Sequence, residues 1–299
     1  MPRHLNRFIR FETAPIHQHA AAMTPEEYCQ QKAASSGSSF YYSFLFLPAD
    51  RRRAITALYA FCREVDDAVD EPREPSVARA KLDWWRTEVE RMYAGKPQHP
   101  VARALLPALG DFDIRQSQLS EIMDGMQMDL ECSRYPDFES LKRYCHCVAG
   151  VVGQLAAGIF GYRNPGTLDY AERLGLAFQL TNIIRDVGED ARKNRIYLPM
   201  DELARFQVPA ADILAYRHTD EFHRLMDFQA ERVERCYADA LAALPAEDRK
   251  TQRPGLIMAA IYRTLLDEVR RDGFRVLDRR IALTPVRKVW IAWKTWVTA

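Results

Sequence analysis

QLTNIIRDVGEDARKNRIYLP, residues 179–199, carries the clearest structural pattern in the chain. On an α-helix, Asn182, Asp186 and Asp190 recur every fourth residue, and each step turns the side chain by only about 40° around the axis, so the three oxygen-bearing groups share one face. Gln179 extends this face by one turn. Like charges at this spacing destabilise a helix by a few tenths of a kcal/mol, and carboxylates near its C-terminal end oppose the helix dipole. The pattern therefore predicts an acidic face that binds a cation. The alternative is a solvated face neutralised by the basic residues of the same stretch, Arg185, Arg192, Lys193 and Arg195.

A second acidic cluster lies at residues 63–71, REVDDAVDE. Asp66 and Asp70 are four residues apart, as are Asp67 and Glu71, at the end of an apolar helical run that stops before a proline. Acidic groups at the C-terminal end of a helix are unfavourable unless a cation compensates them. Two clusters with only oxygen donors indicate hard divalent cations, magnesium or calcium rather than zinc, held between facing helices. Because magnesium is usually bound by one or two carboxylates together with phosphate oxygens, a diphosphate substrate is the natural third component.

Composition and periodicity predict an all-α, single-domain protein. The 299 residues are 47% hydrophobic and 28% charged, which is enough for a large buried core. Nearly every segment has helical period and none alternates like a strand, while no low-complexity linker divides the chain. The net charge of +1 gives no support for a nucleic-acid partner.

The first 22 residues are predicted to form a flexible extension, and residues 23–299 the folded domain. The extension lacks the continuous apolar core of a signal peptide. Thr24, Pro25 and Glu27, in contrast, have the pattern of an N-cap, a first helical residue and a capping box. The six scattered cysteines are interpreted as reduced thiols, so the expected localisation is cytoplasmic, with membrane association as a further option.

Two further segments each allow two interpretations. VAGVVGQLAAGIFG, residues 148–161, is rich in glycine and alanine, which indicates either close helix packing or room for a slender apolar ligand. Near the end of the chain, Trp290, Trp293 and Trp296 recur every third residue among basic side chains. This helix is expected either to rest peripherally on a membrane surface or to dock on the body of the protein. No apolar run approaches the roughly 20 residues that span a bilayer.

The two acidic clusters resemble the two aspartate motifs of the squalene/phytoene synthase family of head-to-head prenyltransferases. ALYAFCREVDDAVDE, residues 57–71, is similar to the first motif, and residues 179–199 are similar to the second. The likeness covers essentially all of residues 24–288. SGSSFYYSFLFLP, residues 36–48, and RVLDRRIALTPVRK, residues 275–288, resemble the presqualene diphosphate synthases of bacterial hopanoid pathways within that family.

The resemblance implies an isoprenoid-synthase helical bundle around a central cavity, with Mg²⁺ bridging substrate diphosphates. By position it implies Asp66, Asp70, Asn182, Asp186 and Asp190 as metal ligands. It implies catalytic roles for the four aspartates and for Tyr59 and Arg63. The substrate-binding residues that it implies are Ser39, Phe40, Arg63, Gln179, Asn182, Arg185, Lys193, Arg195, Tyr197, Tyr262 and Arg279, with Arg280 as the alternative to Arg279.

The implied reaction is the Mg²⁺-assisted condensation of two farnesyl diphosphate molecules into presqualene diphosphate, for which NADPH is not expected. Phytoene synthase and complete squalene synthase are the rival members of the family. A non-catalytic helical binding or assembly protein is the alternative from another class, but both sets of acids persist here. A di-metal carboxylate bundle is disfavoured because the Glu-x-x-His pairs of that class are missing from the sequence.

Overall fold

The computed structural model describes residues 23–35, 40–44, 46–71 and 74–299. The predicted extension, residues 1–22, and Ser39 lie outside the described residues. The helices are α1 (Pro25–Ser35), α2 (Phe40–Phe44), α3 (Ala49–Asp70), α4 (Pro75–Tyr93), α5 (Pro100–Asp111), α6 (Gln116–Glu131), α7 (Phe138–Cys145), α8 (Val151–Phe160), α9 (Gly166–Arg192), α10 (Met200–Arg205), α11 (Ala210–Leu214), α12 (Asp220–Ala243), α13 (Arg253–Arg271) and α14 (Pro285–Thr298). A π-helical turn, His146–Gly150, joins α7 to α8, and 3₁₀ turns cover Ala246–Asp248 and Arg275–Leu277.

The all-α prediction is confirmed. Over the described ranges the chain forms no β-strand, and its only extended pairing is an isolated bridge between Arg134 and Ile196. The predicted start of α1 is also correct, because the Thr24 hydroxyl accepts the backbone N–H of Glu27 at 3.2 Å. The Glu27 carboxylate in turn accepts the backbone N–H of Thr24 at 2.8 Å. This reciprocal pair satisfies two donors that the first helical turn leaves free.

Two groups of buried apolar side chains form the interior. One surrounds α9, α12 and α13, and includes Tyr170, Phe222 and Tyr237. The other surrounds α3 and the helices α4, α5, α6 and α8. Phe40 and Val148 pack against both groups. The molecule is therefore a helical bundle in which α3 and α9 are the central members of two adjoining cores.

The glycine- and alanine-rich segment of α8 serves close helix packing. A Cβ atom at Gly153 would overlap the backbone carbonyl of Ala171 on α9, and one at Gly175 on α9 would overlap the carbonyl of Ala149. Of the two interpretations of this segment, the structure supports helix packing, because the glycines let the two backbones approach directly.

The tryptophan-rich helix α14 docks on the body by one face. Ala292 is buried, and the Trp296 ring stacks on Phe46 with ring centroids 4.9 Å apart. The Arg253 guanidinium lies over the same indole, 5.0 Å from its centroid. The opposite face of α14 remains exposed. None of the described helices combines the length and the apolar character needed to cross a bilayer.

Candidate active site

The two acidic rows meet at one cavity of about 590 Å³. It opens between the C-terminal half of α3, the C-terminal half of α9 and the segment that precedes α14. The residues that the sequence assigned to the site and that line this cavity are Phe40, Tyr59, Arg63, Asp66, Asp70, Gln179, Asn182, Arg185, Asp186, Asp190, Lys193, Arg195, Tyr197 and Tyr262. A larger cleft of about 750 Å³ between α1, α3 and α5 contains no residue of either row.

Asp70 is the point at which the two rows are connected. Its carboxylate accepts hydrogen bonds from Lys193 Nζ at 2.7 Å and from Arg195 Nη1 at 2.9 Å, both from the segment that follows α9. Burial acts to raise the pKa of Asp70, but these two cationic donors outweigh it and lower that pKa. The end of α3 is thus electrostatically joined to the end of α9.

The acids of the first row divide between two directions. Asp66 and Asp70 line the cavity, and Arg63 donates to Asp66 at 2.6 Å. Asp67 does not line the cavity, and it accepts from Lys32 of α1 at 2.8 Å as well as from Arg63 at 2.7 Å. Glu71 lies 3.8 Å from Lys81 of α4. This division follows from helix geometry, since residues four apart share a face and neighbouring residues do not. Only one carboxylate pair of the cluster is therefore available to a ligand in the cavity.

The second row is held by arginines. Arg185 Nε donates to Asp186 at 2.7 Å, and Arg280 Nε donates to the same carboxylate at 3.1 Å. Arg280 also lies 3.7 Å from Glu189. One turn before Asp186, the Nδ2 of Asn182 points to Gln179 Oε1 at 3.4 Å. These contacts place two guanidinium groups beside the acids, in the planar geometry that suits bidentate phosphate contacts.

Burial makes one acid of each row reluctant to ionise. Burial, reinforced by the nearby carboxylate of Asp186, raises the pKa of Asp190 to about 7. Burial also raises the pKa of Asp66 to about 6, even though Arg63 acts in the opposite direction. A bound cation would reverse this penalty, because it favours the charged form of each carboxyl group.

The oxygen donors of the site fit a hard divalent cation whose coordination shell is completed by an anionic ligand. Asn182 Oδ1 is buried and has no hydrogen-bond partner, which leaves one neutral oxygen donor free beside the acids of α9. Among the described residues, no three His, Cys, Asp or Glu side chains converge closely enough to form a complete cage for one ion. Sparse carboxylate ligation with phosphate oxygens in the remaining positions is characteristic of magnesium. The site residues therefore fit magnesium bound together with a diphosphate, and not a closed structural metal centre.

An aromatic wall adjoins the charged region. Phe40 on α2 lies 5.9 Å from Tyr59 and 6.2 Å from Tyr262, measured between ring centroids, and Phe178 lies 4.9 Å from Tyr262. Ile183, Ile261, Leu265, Met126 and Val148 also line the cavity. The cavity thus has one polar end with carboxylates and guanidinium groups, and apolar walls that suit a hydrocarbon chain.

Two members of a tyrosine–aspartate cluster beside the first row, Asp129 and Tyr144, were not assigned to the site from the sequence. Asp129 on α6 accepts hydrogen bonds from Tyr144 at 2.8 Å and from Tyr197 at 2.7 Å, while its backbone carbonyl accepts from Arg195 at 3.3 Å. Burial raises the pKa of Asp129 to about 6. Tyr144 belonged to an amphipathic helix with no distinguishing spacing, so only the crossing of α6 and α7 reveals this contact.

Arg279 is the predicted substrate-binding residue that the structure places elsewhere. Its guanidinium pairs with Asp272 at the end of α13, and it does not line the cavity. Arg280, the next residue, reaches Asp186 instead. The 3₁₀ turn at Arg275–Leu277, which follows a left-handed Phe274 with φ of 50°, sets this register. The two neighbouring guanidinium groups thus reach different partners, and only that of Arg280 faces the acids.

Comparisons with known proteins agree with this geometry. The family model for squalene/phytoene synthase matches residues 33–287. A phytoene synthase from Arthrospira platensis is 35% identical over 276 residues, covering 88% of this chain and 89% of the relative. Phytoene synthase 2 of Solanum lycopersicum, a chloroplastic protein, is 34% identical, covering 87% of this chain and 86% of its own.

Solved structures with the same fold include a dehydrosqualene synthase and a squalene synthase. A dehydrosqualene synthase in complex with a ligand superposes with a TM-score of 0.81 at 28% identity, covering 92% of this chain and 96% of that one. The squalene synthase HpnC from Alicyclobacillus acidocaldarius has a TM-score of 0.75 at 27% identity, covering 84% of this chain and 94% of its own. The likeness extends over nearly the whole of each compared chain.

Proposed function

We propose, since the chain belongs to the squalene/phytoene synthase family of prenyltransferases, that it condenses two farnesyl diphosphate molecules head to head into presqualene diphosphate. The observation that carries the proposal is the meeting of two acidic rows and their basic partners at one end of an apolar cavity. The farnesyl substrate is supported by the dehydrosqualene and squalene synthases among the similar structures.

The polar end of the cavity would bind the diphosphates. The oxygen donors that would hold Mg²⁺ are those of Asp66, Asp70, Asn182, Asp186 and Asp190. When bound, Mg²⁺ supplies positive charge against the diphosphate oxygens. The acids are neutralised in this structure by four basic residues, Arg63, Arg185, Lys193 and Arg195. A diphosphate that enters between them would take over these basic groups, which would then bind its oxygens in place of the carboxylates. As the C1–O bond of the first substrate breaks, both bonding electrons leave with the diphosphate, and the guanidinium groups stabilise that developing charge.

The apolar walls would protect the allylic cation that remains. Phe40 and Tyr59 line the cavity, and the negative quadrupole density of an aromatic face stabilises a positive charge. Excluding water from this region is essential, because water would capture the cation as an alcohol. The C2–C3 double bond of the second substrate then attacks C1 of the cation, and the positive charge moves to C3 of the second substrate.

Loss of a proton from C1 of the first substrate closes the cyclopropane, because the released C–H electron pair forms the bond to C3. Burial raises the pKa of Tyr144, Tyr197 and Tyr262, which keeps these hydroxyl groups protonated. The released diphosphate is therefore the proton acceptor in this proposal, and the tyrosines act as hydrogen-bond donors. No hydride is needed up to this product, so NADPH takes no part.

Phytoene synthesis is the second candidate, because the curated relatives quoted above are phytoene synthases. It would use the same charged end and two geranylgeranyl diphosphates, so the two candidates differ in the chain length that the cavity accepts.

Product analysis separates these candidates. The protein is incubated with Mg²⁺ and either farnesyl or geranylgeranyl diphosphate, with and without NADPH, and the dephosphorylated products are identified by mass spectrometry. We expect presqualene alcohol from the farnesyl substrate in both conditions. Squalene formed only with NADPH would identify a complete squalene synthase, consumption of geranylgeranyl diphosphate alone would identify a phytoene-type enzyme, and no turnover of either would favour a non-catalytic role.

A further inference from the structure

Helix α14 presents an apolar stripe to the surface. Its members are Val286, Val289, Trp290, Trp293 and Val297. At 100° per residue these five side chains fall within an arc of about 100° around the helix axis, and the buried Ala292 lies about 110° from the middle of that arc. Trp290 is 58% exposed, Trp293 is 49% exposed, and their ring centroids lie 5.1 Å apart.

This stripe is unusual within the described surface. It contains five of the ten exposed large hydrophobic residues found in the described ranges, although α14 has only 14 residues. Single exposed apolar side chains need no explanation, but a contiguous patch marks an interaction surface. Tryptophan, which the stripe contains twice, is also a residue type that is favoured at the boundary between hydrocarbon and lipid headgroups.

The charged side chains of α14 itself are all basic. The helix carries three basic residues, Arg287, Lys288 and Lys294, and no acidic one. Lys294 is exposed, and Arg287 is exposed and pairs with Glu268 at 2.8 Å. On the helix they lie about 90° (Lys294) and about 110° (Arg287) from the middle of the stripe, both on the same side, so they flank one of its edges. An apolar face with a basic margin is complementary to an anionic lipid surface.

We infer that α14 docks this protein on an anionic lipid bilayer, with Trp290 and Trp293 inserted at headgroup depth and Lys294 on the lipid phosphates. A second copy of the chain fits the stripe less well. The stripe exposes on the order of 500 Å² of side-chain surface, whereas each partner of a standard protein interface buries roughly 800 Å². Shallow insertion into a lipid interface needs only the stripe itself.

Vesicle flotation tests the inference. Wild-type protein, the double variant Trp290→Ser/Trp293→Ser and the control Trp84→Ser are mixed with phosphatidylcholine vesicles that contain phosphatidylglycerol. The same proteins are mixed with vesicles of phosphatidylcholine alone. Trp84 is a matched control because it is an exposed tryptophan, at 40%, on the distant helix α4. Circular dichroism and size-exclusion chromatography with light scattering check the fold and the oligomeric state of each variant.

We expect wild type and the Trp84 variant to float with the anionic vesicles, and the double variant to bind at least about tenfold more weakly, since two large side chains lose their burial. Lys294→Gln should weaken binding to the anionic vesicles only. Equal binding by the folded double variant would overturn the inference, as would wild-type protein that stays unbound on anionic vesicles. A wild-type dimer that the double variant converts to monomer, with vesicle binding unchanged, would assign the stripe to self-association and also overturn it.

Discussion

Lys193 Nζ lies 2.7 Å from Asp70 Oδ2, although 123 residues separate the two in the chain. Asp70 is the last residue of α3, and Lys193 follows the last residue of α9. The contact shows that both acidic helix ends reach the same place, each with its unfavourable dipole end toward the cavity. In this structure the basic side chains stabilise the arrangement. In the proposed reaction, cations and diphosphate would stabilise it.

Replacing Asp70 should disable the site without unfolding it. We expect Asp70→Asn to lower kcat by at least about a hundredfold, because one carboxylate of the site is lost together with the anchor of Lys193 and Arg195. Glu71→Gln is the matched control, since its carboxylate lies one residue away, faces Lys81 and does not line the cavity. Steady-state kinetics at several Mg²⁺ concentrations measure both variants. An Asp70 variant that is as active as the Glu71 variant would remove Asp70 from the site.

The two consecutive arginines before α14 should differ in effect. Arg280 contacts Asp186, whereas Arg279 contacts Asp272 outside the cavity. We expect Arg280→Ala to reduce kcat/KM by roughly tenfold to a hundredfold, the range for a lost hydrogen bond to a charged group. Arg279→Ala should change it by less than about threefold. Both variants are measured with the substrate that the wild-type protein consumes. A larger loss for Arg279→Ala than for Arg280→Ala would show that Arg279, and not Arg280, faces the acids.

A buried ion pair between α10 and α12 should contribute to stability alone. The Glu202 carboxylate is bound by Arg232 and by Gln229, whose Nε2 donates at 2.6 Å, and the Arg232 guanidinium lies 3.9 Å from the Phe138 ring centroid. We expect Glu202→Gln to lower the free energy of unfolding by about 3 kcal/mol, because it leaves a buried guanidinium without its counter-charge.

The control for that change is Glu231→Gln, which removes an exposed pair with Arg235 at 3.9 Å. It should alter the free energy of unfolding by no more than about 0.5 kcal/mol. Urea denaturation followed by circular dichroism measures both. Equal stabilities of the two variants would mean that the buried pair is energetically replaceable.

Asp129 should make stability depend on pH. Burial raises its pKa to about 6 in the folded protein, above the ordinary value near 4 that applies in the unfolded chain. Between these two values the folded state holds a proton that the unfolded state has lost, so this residue's contribution to stability falls as pH rises from about 4 to above 6, by at most about 3 kcal/mol.

Asp129→Asn removes that titration. Thermal unfolding at a series of pH values should show the melting temperature of the variant improving relative to wild type as pH rises through this window, whatever the constant effect of losing a hydrogen bond from Tyr144 or Tyr197. A difference between the two proteins that stays constant from pH 4 to pH 7.5 would show that the carboxyl group titrates normally.

Much of the fold could be predicted because helices carry their own signals. The capping box at Thr24 and the four-residue spacing of Asn182, Asp186 and Asp190 are local patterns, and the structure places each as the spacing requires. The helix that contains the second row begins at Gly166, more than three turns before Gln179. Its first turn has no side-chain cap to mark it, so the sequence offers no boundary signal there.

The remaining parts of the site depend on how elements cross. Asp129 and Tyr144 stand 15 residues apart on different helices, and nothing in either helix indicates their hydrogen bond. The choice of Arg280 over Arg279 depends on the preceding 3₁₀ turn, which propensity does not specify. The prediction that Ser39 contacts substrate concerns a residue outside the described ranges and stays a prediction.

The joint role of the two acidic rows is tested most directly by the release of inorganic diphosphate from the prenyl diphosphate that the wild-type protein consumes. Release is measured with Mg²⁺ and with EDTA for wild type, Asp66→Ala and Asp186→Ala. We predict rapid release by wild type with Mg²⁺, none above background in EDTA, and none from either variant, with unchanged helical circular dichroism. Release at the wild-type rate by either folded variant, or by wild type in EDTA, would contradict the claim that two acidic rows jointly bind the metal that ionises the substrate.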